Sequence, residues 1–143
     1  MSPVTFASVR IEKEYEELLL KRPELRVMVD EFAEQALDGY GWVPCLTSIW
    51  RSFTEQVEID RNSAVMGRPK GSASPHAVWQ AVDFRTRGVR QAIVDGMVKW
   101  AEGRWEYNPS DRSKPVAYAK PHGTAAHLHL QMKPGVTRLR NAG

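Results

Sequence analysis

The sequence holds four histidines, and three of them, His122, His127 and His129, fall within eight residues of one another. On an extended strand alternate side chains share a face, so His127 and His129 project to one side and Leu128 to the other. Two imidazoles side by side suit a metal ion, or a ligand next to a proton donor. The fourth histidine, His76, lies in a loop-like stretch seven residues before Asp83. Asp83 itself falls on an expected strand, Ala81 to Arg85. A loop of that length can fold so that the two side chains meet, and a neutral imidazole and a carboxylate are good zinc ligands. His76, Asp83 and one histidine of the His127/His129 pair supply three nitrogen and oxygen ligands. That number leaves a fourth zinc position for water, as in a catalytic site and unlike a closed structural one. Taken singly, each residue has a plainer reading, Asp83 as a strand-end cap and His76 as a surface side chain. No cysteine cluster offers a structural metal site. Cys45 is the one cysteine, which excludes an intrachain disulfide and fits a small residue of the core.

The elements that must position these residues can be read from periodicity. Residues 9–21 carry mixed charge with Tyr15, Leu18 and Leu19 and predict a surface helix. Pro23 suits the first turn of a second helix. There Leu25, Met28, Val29, Phe32, Ala36 and Leu37 recur at helical spacing, and Gly39 and Gly41 stop it. Val43 to Trp50 predicts a strand, and residues 54–61 a short helix capped by Thr54. Residues 62–75, punctuated by Pro69 and Pro75, predict a loop. After the strand Ala81 to Arg85, residues 87–102 predict a helix with Val89, Ile93, Val94, Met97 and Trp100 on one face. Tyr107 to Ser113 is polar and turn-rich, Val116 to Ala119 and His127 to Met132 predict strands, and the last ten residues read as loose. No internal repeat is visible. The expected class is α+β, with helices first and then a small, mostly antiparallel sheet. We expect one domain over residues 1–143, a helical front end at 1–41 and a zinc core at 42–133.

Composition sets wider bounds. At 143 residues, 42% hydrophobic and 26% charged, the chain suits one globular domain and excludes collagen-like or largely disordered classes. No apolar run approaches the roughly 20 residues of a membrane helix, and the opening residues lack the pattern of a signal peptide. The net charge of +3 favours anionic partners only mildly. Its basic concentrations, Arg85, Arg87 and Arg90, then Arg138 and Arg140, come with no helix-turn-helix, zinc-finger or RNA-motif pattern.

Three segments together resemble a known superfamily, the zinc D-alanyl-D-alanine metallopeptidases. It takes in L-alanyl-D-glutamate peptidases, lysostaphin-type and hedgehog-type domains, and phage endolysins that cut peptidoglycan peptide stems. The family pattern S-x-H-x-x-G-x-A-x-D is matched by Ser74, His76, Ala81 and Asp83. A later H-x-H is matched by His127 and His129, continued by Leu130 and Gln131. An upstream S-G-Y-R-S-x-x-E-Q is matched by Ser48, Arg51, Ser52, Glu55 and Gln56. The three segments run in the family's order across most of the chain. Two departures matter. Trp79 replaces the family glycine, and Ala126 stands where an E-x-x-H member has the glutamate that acts as general base.

The resemblance implies a hedgehog-like zinc fold in which His76, Asp83 and His129 hold Zn²⁺. Zinc lowers the pKa of its water toward about 7 and polarises the scissile carbonyl. By the same resemblance His127 lies beside that water. It would accept the proton or, as imidazolium, stabilise the oxyanion. Arg51 is the substrate-binding candidate, since its fork grips a carboxylate bidentately. Ser74 would hydrogen-bond substrate or hold the His76 loop. Gln131, on the His129 side of its strand, would line the cleft. His122 is expected to orient this group or to lie outside it. Trp50, Trp79, Trp100 and Trp105 read as core or cleft wall.

The expected function is a monomeric zinc peptidase acting on peptidoglycan stem peptides, a hydrolase of the phage or prophage cell-wall lysis type. It would be made in the cytoplasm and reach the wall through a membrane pore, or travel with the virion. Nucleic acid and membrane insertion are not expected. The competing expectation is a non-catalytic zinc-binding domain of the same fold, a virion or protein-binding module, to which the missing glutamate points. A basic nucleic-acid-binding domain is the third reading, and it predicts binding that falls steeply with salt.

Overall fold

The computed structural model describes residues 3–49, 80–107, 115–120 and 126–133. Along these residues the elements run β1 (Thr5–Phe6), α1 (Val9–Lys21), α2 (Pro23–Tyr40), β2 (Cys45–Ser48), β3 (Ala81–Arg85), α3 (Gln91–Arg104), β4 (Ala117–Lys120) and β5 (His127–Gln131). The class is α+β: among the described residues there are three helices and one five-stranded mixed sheet of order β1-β2-β3-β5-β4. The β1–β2 pair is parallel and the other three pairs are antiparallel.

Local chemistry explains the helix ends. Ser8 caps α1, its hydroxyl accepting from the Ile11 N–H. Arg22 precedes a proline and leaves helical geometry, at φ −148° and ψ 75°. Pro23 then opens α2, where its missing N–H costs nothing. That helix runs through Gly39 and ends at Gly41, whose φ of 68° is a left-handed conformation open to glycine. Its buried stripe is Leu25, Met28, Val29, Phe32, Ala33 and Ala36. Leu37, expected on that stripe, is exposed.

The elements depart from the sequence expectation in bounds and in order: β2, at Cys45–Ser48, is shorter than the expected Val43 to Trp50, and β4 runs Ala117–Lys120 and not Val116 to Ala119. The third helix starts at Gln91 and not at residue 87, because Thr86 to Val89 form a turn. The Val89 N–H donates to the Thr86 carbonyl at 2.9 Å, with Gly88 at φ 81° in the third place. Helices do not simply precede the sheet: Thr5–Phe6 forms an edge strand ahead of α1, and α3 intervenes between β3 and β4. A two-residue strand leaves no alternation to read. The helix expected at residues 54–61, the loop at 62–75, the turn at 108–113 and the loose last ten residues lie outside the described residues.

The sheet has two unlike faces. Leu46, Val82, Phe84, Leu128 and Leu130 turn to the helices and share one core with Leu18, Leu25, Met28, Phe32, Val94 and Met97. Phe32 sits at the centre, stacked on Phe84 at 4.7 Å between centroids and edge-on to Trp42 and Trp100. Trp105 is buried in the same core, and Trp100 packs against it. Cys45 corrects an expectation: it is only partly buried and is absent from this core, since it alternates with Leu46. The opposite face carries Asp83, His127, His129 and Gln131. No described helix is long and apolar enough to cross a membrane.

Candidate metal centre

The polar face is organised by register. Strands β3 and β5 are neighbours in the sheet, and Asp83 stands directly opposite His129. The period of two then places Asp83, His127, His129 and Gln131 on one side. A bulge in β2 between Leu46 and Ser48 lies beside this point, and the Thr47 hydroxyl donates to the Asp83 carbonyl at 3.4 Å. Asp83 is therefore held from both neighbouring strands.

The side chains converge on the Asp83 carboxylate. His129 Nδ1 lies 2.9 Å from Asp83 Oδ1, and His127 Nε2 lies 3.8 Å from the same oxygen. Both Asp83 and His129 are 4% exposed. The His127 side chain is more open, at 22%. The other His129 nitrogen, Nε2, lies 3.0 Å from Gln131 Oε1, and Gln131 Nε2 donates to the Pro115 carbonyl at 2.8 Å. Tyr118, opposite His129 on β4, stacks on the imidazole at 4.7 Å between centroids. Buried polar groups are tolerable only when paired, and both His129 nitrogens are paired here.

Of the residues singled out in the sequence, Asp83, His127, His129 and Gln131 are thus gathered at one place. Gln131 was expected to line the substrate cleft; its amide lies against His129 Nε2 and the Pro115 carbonyl. Arg51, Ser74, His76 and His122 lie outside the described residues, as do Trp50 and Trp79. Tyr118 had not been singled out. Its signal was available in the alternation Ala117-Tyr118-Ala119, one large ring between two small residues, but nothing local told which histidine it would face.

Among the described residues, no set of three or more His, Cys, Asp or Glu side chains is arranged to hold a metal ion. The donors present nonetheless fit zinc in kind, an imidazole nitrogen and a carboxylate oxygen. Their spacing is also compatible, since two donors about 2 Å from a tetrahedral ion stand about 3.3 Å apart. A third donor from outside the described residues, such as His76, is needed to complete the set. Without a metal, the same arrangement is a buried carboxylate–imidazole pair with a more open imidazole beside it.

Fold and site together define an α+β protein with a histidine–aspartate cluster on the sheet face opposite its helices. No family model, curated protein or solved structure matches this chain.

Proposed function

We propose that the protein is a zinc-dependent peptidase of the D-alanyl-D-alanine metallopeptidase type, hydrolysing peptide bonds in peptidoglycan stem peptides. One observation carries the reading. Asp83 and His129, expected ligands 46 residues apart in sequence, face each other at 2.9 Å in a buried position. The difference in exposure supports the division of roles. Asp83 and His129 are enclosed, as ligands are, while His127 keeps an open edge toward solvent.

In this reading His76, Asp83 and His129 hold the zinc, which activates water and polarises the scissile carbonyl when bound. His127 accepts a proton from the attacking water through Nε2 and returns it to the leaving amine. Arg51 grips a carboxylate of the stem peptide, and Ser74 hydrogen-bonds substrate or steadies the His76 loop. Ala126 has no acid–base group, so proton transfer falls to His127. A hedgehog-like fold, action on the cell wall as a phage or prophage lysis enzyme, and a monomeric state belong to the same proposal.

The test is digestion of purified peptidoglycan by the zinc-loaded protein, with fragments read by mass spectrometry and a chelator-treated control. New peptide ends that vanish with chelator, and with His127→Ala, are expected. Intact stems from protein shown to carry one zinc contradict the peptidase. That outcome favours the second reading, a non-catalytic zinc-binding domain, which the presence of Ala126 at the family's glutamate position supports.

A further inference from the structure

We infer that Gln131 is a positioning residue that fixes the ring of His129, binding its Nε2–H and turning Nδ1 toward Asp83. The assignment follows from donors and acceptors alone. The Pro115 carbonyl only accepts, so the end of the Gln131 amide 2.8 Å from it is the NH₂ group. The end 3.0 Å from His129 Nε2 is therefore the oxygen, which also only accepts. Nε2 must then carry a hydrogen, and Nδ1 is the nitrogen presented to Asp83 Oδ1, with a hydrogen between the two when no metal stands there.

The surroundings hold the amide in this sense. The Gln131 N–H donates to the Val116 carbonyl at 2.8 Å, which ties β5 to the segment bearing Pro115. The Val116 and Ala117 N–H groups donate to Glu102 Oε1 on α3, at 3.1 and 3.3 Å. A chain of contacts thus runs from Glu102 through Pro115–Ala117 and Gln131 to His129 and Asp83. Tyr118 covers a face of the ring. Rotating the imidazole by half a turn would set ring carbons against both Asp83 and Gln131 in place of nitrogens, and both of these contacts would be lost. The role assigned to Gln131 is the support of a ligand and not contact with substrate. Its bearing on metal affinity rests on the proposed zinc site; the ring orientation does not.

Two readouts test it. In ¹⁵N-labelled metal-free protein, His129 should show a proton on Nε2 that exchanges slowly with solvent, and Gln131→Leu should speed that exchange. Zinc affinity should fall about ten- to a hundredfold in Gln131→Leu, the usual loss when a ligand's outer partner is removed. Gln131→Glu keeps an acceptor for Nε2–H and should retain most of both properties; it also serves where the leucine variant fails to fold. A wild-type His129 with no proton on Nε2, or affinity and exchange unchanged in Gln131→Leu, overturns the inference. A wild-type protein that binds no zinc overturns the metal reading instead, and the exchange measurement then decides the orientation alone.

Discussion

At the residue scale, the cluster is governed by the cost of burying charge. Asp83 and His129 are almost fully enclosed and satisfy each other. Deleting one member of such a buried pair typically costs about 3–5 kcal/mol. Asp83→Ala should therefore lower the urea midpoint of the metal-free protein strongly. Asp83→Asn, which keeps the shape and a hydrogen-bonding oxygen, should lower it less. Equal midpoints for wild type and Asp83→Ala would show that the pair contributes nothing to the fold. The face shared by His127 and His129 was legible in the sequence, because strand alternation is local. The partner of each side chain was not. That Asp83 meets His129, that Gln131 turns to Pro115, and that Tyr118 covers the ring all depend on cross-strand register, which nonlocal packing sets.

Element boundaries show the same division between local and distant causes. Both N-terminal helices were legible because their ends are written in Pro23 and Gly41 and their buried faces recur at helical spacing. The strand Ala81–Arg85 matches its expected limits. The start of α3 was misplaced because Val89, which closes the turn begun at Thr86, stands at helical spacing from Ile93. β1 exists only through its pairing with β2. In the packing of α2, Phe32 meets Phe84 of β3, Trp42 and Trp100 of α3 together. Phe32→Ala should destabilise the protein by about 3–5 kcal/mol in chemical denaturation. A change below about 1 kcal/mol, far under the usual cost of a buried Phe truncation, would mean that the α2–sheet interface is not packed as described.

For the molecule as a whole, the front end at residues 1–41 and the core beyond it are not independent bodies. They share one hydrophobic cluster, to which α1, α2, α3 and the sheet all contribute. A polar tie accompanies it: the buried guanidinium of Arg22, between α1 and α2, donates to the Met132 carbonyl just past β5 at 3.1 Å. The helices thus stiffen one face of the sheet from behind, while the other face presents the histidine–aspartate cluster. This division of labour makes the cluster precise, because its strands are held by a packed core rather than by loops. The central property of that face is its capacity to hold a metal. The direct measurement is zinc stoichiometry by native mass spectrometry on folded wild type, Asp83→Asn and His129→Gln. The account predicts one zinc per wild-type chain and none, or a greatly weakened site, in either variant. A wild-type chain that takes up no zinc, or variants that hold it as tightly as wild type, would contradict it.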